Sequence, residues 1–191
     1  QAEIAILVLA PIIVFFIIFV NWIIIILYSE KFIPINLMMQ LAAIGMLFKA
    51  LSWSIAYIFL AKGKSKMFLI NELSAGTVTL ILHLTGYYFY GLTGVGVGFI
   101  LGYLYYSFQV AIITKKYFNF RINAFLYKLI SLQLILSFAS FFIMIFVPTP
   151  YNYFSAIPLL VISAIYSYKE LNKRVDLKNY LYKITNKKND K

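Results

Sequence analysis

Six long apolar stretches, separated by short polar breaks, organise this chain. A transmembrane α-helix needs ~20 apolar residues to cross about 30 Å of hydrocarbon, and most of the stretches reach that length. None alternates apolar and polar residues with a period of two, so the pattern does not favour a membrane β-barrel. The pattern predicts an all-α integral membrane protein, a bundle of six transmembrane helices near Ile4–Tyr28, Ile35–Ala61, Met67–Phe89, Leu92–Thr114, Phe125–Val147 and Tyr153–Tyr168.

Basic residues fall at alternate breaks between these stretches, at Lys62–Lys66, at Lys115–Lys128 and after Lys169. The other three breaks contain one basic residue, Lys31. Because basic loops stay on the cytoplasmic side, we expect those three regions, and both ends of the chain, in the cytoplasm. We divide the chain into a six-helix transmembrane domain at 1–171 and a basic cytoplasmic tail at 172–191, which either lies on the anionic inner leaflet or is solvated.

Composition supports a membrane protein and excludes several other classes. The chain is 63% hydrophobic and 12% charged, whereas soluble domains are about 25% charged. It has no cysteine, which excludes disulfides and thiolate metal sites. The net charge of +11 is explained by the loop asymmetry, so we expect no nucleic-acid partner. Apolar sequence begins at Ile4, close behind Gln1, and we interpret the chain as starting inside a larger protein.

One charge, Lys49, interrupts the second apolar stretch near its centre. A lysine at that depth costs ~2.5–3.5 kcal/mol on insertion scales. The only acidic residue within a central predicted helix is Glu72. Counted from the turn near Lys64, the two lie ~10 Å apart along the helix direction, so a direct ion pair fits poorly. The alternatives to that pair are a water-filled cavity, a partner in a missing part of the protein, or an anionic ligand such as a phosphate.

Small and polar residues recur at helical spacing on the central predicted helices, which places them on one face of each. For the glycine run Gly94, Gly98 and Gly102 we expect close helix packing. For the stripe formed by Gln133, Ser137 and Ser140 we expect hydrogen bonds between helices. His83 is the only histidine, and it fits a structural hydrogen bond or a proton relay better than a metal site, which needs several ligands.

Four short motifs, in this order, resemble those of bacterial polysaccharide flippases. LYSEKFIP at 27–34 is similar to an outer turn of these proteins, with Ser29 in place of the usual glycine. MLFKALSW at 46–53 resembles the following helix, which often carries a basic residue there, and LAKGKSK at 60–66 resembles the next cytoplasmic turn. YGLTGVG at 90–96 resembles the next outer turn. The match covers about residues 4 to 120 and points to the O-antigen translocase branch of the multidrug/oligosaccharidyl-lipid/polysaccharide exporter superfamily; the last two helices resemble it in hydropathy alone.

The resemblance implies a transporter of 12 to 14 helices in two lobes, with this chain as the C-terminal part and the N-terminal lobe of the same protein as its missing partner. Such flippases move undecaprenyl-pyrophosphate-linked oligosaccharides across the bacterial inner membrane for polysaccharide or O-antigen export. The resemblance implies that Lys49 meets the pyrophosphate or an anionic sugar, and that Ser52, Glu72, Thr79 and His83 are further substrate-binding candidates. It implies no catalytic residue, cofactor or metal, so we expect a transporter and not an enzyme.

Three other functions remain open at this point. A drug or cation antiporter of the same superfamily would favour membrane carboxylates, and Glu72 is the only one in a central helix. A membrane glycan polymerase or glycosyltransferase would need a catalytic site on sizeable outer loops, but the outer breaks are only a few residues long. A structural or assembly subunit is also compatible with the sequence.

Overall fold

A computed structural model of the protein describes residues 2–120 and 123–175. Within these residues every regular element is a helix, in the order α1 (Ala2–Leu27), a 3-10 helix (Glu30–Ile35), α2 (Asn36–Ala61), α3 (Ser65–Phe118), α4 (Ala124–Phe146) and α5 (Tyr151–Val175). Four helical stretches are long and apolar enough to cross a membrane: α1, the 3-10 helix with α2, α3, and α4. This confirms the prediction of an all-α chain built from membrane-type helices, but not the predicted number of six membrane spans.

Helix α3 folds back on itself at Gly91, whose backbone has φ 58° and ψ −141°. A positive φ of this kind favours glycine, because a Cβ would be strained there. We call residues 65–90 the first arm and residues 92–118 the second arm. Residues farther from the turn on one arm contact residues farther from the turn on the other, from Gly86 with Gly94 to Thr79 with Gly102. The two arms therefore run antiparallel. The fold-back lies at the polar break that the sequence placed between the third and fourth predicted helices.

Glycines let the two arms of α3 approach closely. A Cβ added at Gly94 would overlap the carbonyl oxygen of Gly86, and one added at Gly102 would lie 2.7 Å from Oγ1 of Thr79. Gly98 faces the carbonyl of Leu82 in the same way. The predicted close packing along this glycine run is therefore confirmed.

Helix α2 packs along the second arm of α3 in the same direction. Gly45 lies against Phe99 near the start of this contact, and farther along Ser107 donates a hydrogen bond to the carbonyl of Phe48 (3.1 Å). Phe59 packs near Phe118 toward the far end. The first arm, α2 and the second arm thus form a unit of three neighbouring helical segments.

Helix α1 supplies much of the core, with buried residues from Ile6 to Ile24 along its length. It packs against α2, α4 and α5, and Gln40 of α2 donates a hydrogen bond to the carbonyl of Ile17 (3.0 Å). Between α4 and α5, the carboxamide of Gln133 donates to Ser167 (3.1 Å) and accepts from Ser163 (2.8 Å). This confirms the interhelical hydrogen bonding expected for Gln133. The same expectation is wrong for Ser140, whose hydroxyl donates to the carbonyl of Leu136 on its own helix (2.9 Å), and for Ser137, whose hydroxyl has no partner among the described residues.

Helix α5 continues to Val175, beyond the apolar stretch that predicted it. Glu170 forms ion pairs with Lys173 (2.7 Å) and Arg174 (3.1 Å) at helical spacing, and such pairs support an extra turn. Arg174 also pairs with Glu3 at the start of α1 (2.8 Å). The remainder of the predicted tail, 176–191, and Arg121 in the basic break lie outside the described residues.

Candidate functional site

A cleft of about 310 Å³ lies between α2 and the two arms of α3. Glu72, Thr79 and His83 of the first arm line it, so the fold brings three of the five predicted site residues together. Their spacing along the first arm places them on one face of that segment. Aromatic side chains of Trp53 on α2 and of Tyr103 and Tyr106 on the second arm also line the cleft.

Lys49 lies beside this cleft, held against two of its aromatic rings. Its ammonium is 5.0 Å from the centre of the Trp53 ring and 5.4 Å from the centre of the Tyr103 ring. Cation–π contacts contribute ~0.5–1 kcal/mol when exposed and about 2 kcal/mol or more when desolvated. No carboxylate in the described part of the chain lies within 4.0 Å of this ammonium, since the ion pairs found there all involve Lys173 or Arg174. The charge of Lys49 is thus stabilised by π-faces without being neutralised.

Glu72 is held by the second arm rather than by Lys49. The hydroxyl of Tyr106 donates a hydrogen bond to its carboxylate. Asn71 donates to the Tyr106 oxygen (3.3 Å), and Gln109 donates to the carboxamide oxygen of Asn71 (2.9 Å). Asn71 and Tyr106 are buried, so this chain of hydrogen bonds ties the two arms of α3 together and orients the Glu72 carboxylate.

The His83 ring stacks on Phe99, with centroids 6.1 Å apart and planes 4° from parallel. Its Nε2 is buried and has no hydrogen-bond partner within residues 2–120 and 123–175. The same residues contain no group of three or more histidine, cysteine, aspartate or glutamate side chains that could hold a metal ion. The structural hydrogen bond expected for His83 is therefore not found at this nitrogen within the described residues.

Ser52 lies apart from the other candidates. It is fully buried, and its hydroxyl donates to the backbone carbonyl of Lys49 (3.0 Å) on its own helix. It does not line the cleft. The Ser52 hydroxyl is therefore used in a hydrogen bond within α2, to the backbone of the lysine that lies beside the cleft.

Sequence reasoning did not identify the aromatic residues of this site. Trp53 follows Lys49 by four residues, which is one helical turn, so its proximity to the ammonium could have been found from spacing alone. Tyr103 and Tyr106 could not, because their positions depend on how the second arm is aligned against α2 and the first arm. The cleft contains one carboxylate that accepts a hydrogen bond from a tyrosine and one histidine, and the Lys49 ammonium lies beside it against two of its aromatic rings.

Comparison with models of protein families, with curated protein sequences and with solved structures finds no match to this chain.

Proposed function

We propose that this chain is part of a flippase that moves lipid-linked oligosaccharides, carried on undecaprenyl pyrophosphate, across the bacterial inner membrane for polysaccharide or O-antigen export. The observation that carries the proposal is the ammonium of Lys49, near the middle of α2 and without a carboxylate partner within 4.0 Å in the described structure. The resemblance of four sequence motifs to such flippases supports the same function.

A cation held on aromatic faces suits the capture of a phosphate. The rings of Trp53 and Tyr103 stabilise the charge of Lys49 but leave its full Coulomb attraction available to an incoming anion. That attraction is strong where water is scarce, because the effective dielectric constant is low. Lysine binds phosphate as a point charge, which suits a head group that must also be released.

The proposed mechanism is alternating access between two lobes. In this proposal the two arms of α3 are separate membrane spans and α5 is the sixth, so the chain forms one six-helix lobe. The second lobe comes from the remaining part of the protein, and the polar head group crosses between them while the polyprenyl tail stays in the bilayer. No covalent bond is made or broken, and the lysine-rich end of the bundle faces the cytoplasm.

A cation antiporter is the second candidate, and it depends on Glu72. Among the described residues, Glu72 is the only carboxylate that lines the cleft, and a cationic substrate would need it. The carboxylate already accepts a hydrogen bond from Tyr106, and the Lys49 charge beside the cleft repels a cation. The flippase is therefore the better-supported function.

The experiment is a lysine substitution in the full-length protein, assayed by glycan export in cells. Lys49→Ala should reduce export about tenfold or more, because hydrogen bonds to charged groups contribute about 1.5–3 kcal/mol, whereas Lys49→Arg should retain more activity. Expression and membrane insertion should survive in both. Lys31→Ala, which removes an exposed charge from the connection before α2, is the matched control and should export normally. Normal export by Lys49→Ala would show that the substrate assignment is wrong.

A further inference from the structure

A second cleft lies at the opposite end of the bundle from the lysine-rich turns. Its volume is about 350 Å³, and it lies where α1 meets the start of α2 and the connection between α4 and α5. None of the residues that line it within the described structure carries a charge. Its polar lining consists of four carboxamides with one hydroxyl and one phenol: Asn21, Asn36, Gln40, Asn152, Thr149 and Tyr153.

Two of these carboxamides have hydrogen-bonding capacity that the described residues do not use. The side-chain oxygens of Asn21 and Asn36 are buried and lack a partner in that part of the structure. Buried polar groups are nearly always hydrogen-bonded, so each unpaired oxygen calls for an explanation. A ligand that donates hydrogen bonds would supply the missing partners.

The other two carboxamides hold the cleft in shape. Gln40 is 4% exposed, and its amide donates to the carbonyl of Ile17 (3.0 Å). Asn152 is 3% exposed, and its oxygen accepts from the backbone N–H of Tyr153 (2.8 Å). The ring of Tyr153 is fixed in turn, because its hydroxyl accepts from Nε1 of Trp22 (3.0 Å). An aromatic ring of fixed orientation therefore stands at a site lined by amides.

We propose that this cleft is a binding subsite for a neutral sugar of the transported glycan, an inference that rests on the proposed function. A carboxamide offers two donors and an acceptor, which matches the mixed donor and acceptor character of sugar hydroxyl and acetamido groups. The aromatic ring offers an apolar face for the carbon side of a pyranose. Because none of the described residues that line this cleft carries a charge, the cleft is not suited to bind the pyrophosphate.

The size of the cleft favours a sugar over an ion. A single water occupies about 30 Å³ of liquid, so a cavity of about 350 Å³ exceeds the need of one cation or water by far. Small-molecule pockets typically span about 300–1,000 Å³. By the charge rule the cleft faces the periplasm, where the head group arrives after crossing. The subsite would hold a sugar on the side of product release.

The test uses the full-length protein, labelled with 5-fluorotryptophan and placed in phosphatidylcholine nanodiscs. The fluorine resonance of Trp22, assigned by its loss in Trp22→Phe, is followed during titration with N-acetylglucosamine. We expect a saturable shift. Asn36→Leu should raise the concentration needed for half-saturation about five- to tenfold, as expected for one or two lost hydrogen bonds.

Asn172→Leu is the matched control, because Asn172 also has a buried unpaired side-chain oxygen but lies near the other end of the bundle, in the last turns of α5. Its titration should equal that of the wild type. Asn21→Leu repeats the test from a different helix in case Asn36→Leu does not fold. The absence of a shift up to the solubility limit of the sugar, an equal shift in all variants, or a shift with sodium chloride and none with the sugar would each overturn the proposal.

Lys49→Ala separates this inference from the proposed function, because it should leave the Trp22 titration unchanged. Loss of export in Lys49→Ala without any Trp22 response would refute the sugar subsite alone. A specific Trp22 response together with normal export by Lys49→Ala would refute the phosphate role of Lys49 and leave the subsite in place.

Discussion

The ammonium of Lys49 lies 5.0 Å from the centre of the Trp53 ring, one turn farther along the same helix. This pair explains how a lysine in the middle of an apolar helix is accommodated, although no carboxylate of residues 2–120 and 123–175 lies within 4.0 Å of its ammonium. The indole face lowers the cost of burying the charge, and Tyr103 adds a second face from the neighbouring segment. The charge stays unneutralised beside a cleft.

Trp53 should therefore affect transport through Lys49. We predict that Trp53→Leu lowers glycan export about two- to thirtyfold, the equivalent of about 0.5–2 kcal/mol, and that Trp53→Phe, which keeps a ring, lowers it less. Tyr57→Leu, one turn along α2 and stacked on Phe68 instead, should export normally. Equal export by Trp53→Leu and Trp53→Phe would contradict a role for the ring face.

The fold-back at Gly91 predicts a change of side along α3. A reporter fused after Lys66 should be active on the cytoplasmic side, and one fused at Gly91 on the periplasmic side. Paired alkaline phosphatase and green fluorescent protein fusions in the full-length protein measure this. The reverse pattern would overturn the orientation, and the same compartment at both sites would mean that the arms do not cross.

The contact between the two arms predicts contrasting effects of two glycine substitutions. Gly94→Ala would force a methyl group into the backbone of Gly86, and overpacking of this kind typically costs about 1–3 kcal/mol. A Cβ added at Gly76 would have no packing neighbour within 4 Å among the described residues, so Gly76→Ala should not destabilise the protein. It is the matched control. Thermal unfolding in detergent, followed by fluorescence-detected size exclusion, measures both. Equal melting temperatures would mean that the arms are farther apart than described.

The hydrogen bonds of Gln133 with Ser163 and Ser167 predict that Gln133→Leu lowers stability and that replacing the two serines as well restores part of it. Gln133→Leu should lower stability by ~0.6–1.7 kcal/mol, the range for hydrogen bonds between membrane helices, since it leaves the hydroxyls of Ser163 and Ser167 without this partner. Replacing both serines by alanine in the same protein should recover much of the loss, because no polar group is then left unpaired.

Ser137→Ala is the control for this series. Its hydroxyl is buried without a hydrogen-bond partner in the described structure, so its removal should not lower the unfolding temperature. A triple variant that is less stable than Gln133→Leu alone would mean that the two serines contribute independently of Gln133.

Much of the fold follows from hydropathy and loop signals. The breaks at Pro34, Gly63 and Gly91 were predicted because glycine, proline and polar residues interrupt the apolar runs, and the helices end near them. The extent of α5 was not predicted, since its last turn depends on ion pairs made by Glu170 with residues of the expected tail. The hydropathy pattern shows where an apolar membrane segment ends, but the helix itself can continue beyond that point.

The candidate site could be predicted only in part. Glu72, Thr79 and His83 share one helix face, which spacing shows directly, and they line one cleft. The contact of Lys49 with Tyr103 depends on the alignment of two helices that are far apart in sequence. The second cleft, lined by the carboxamides of Asn21, Asn36, Gln40 and Asn152, was missed for the same reason, because these residues come from elements separated by more than a hundred residues.

The meeting of the Gly86 and Gly94 backbones next to the turn has a mechanical consequence. Because the two arms of α3 are in backbone contact beside the turn, they can separate more easily at the end far from it. At that end the hydroxyl of Tyr106 on the second arm donates a hydrogen bond to Glu72 on the first arm. If the two arms separate at that end, the hydrogen bonds of Gln109 with Asn71 and of Tyr106 with Glu72 would break before the contact between Gly86 and Gly94.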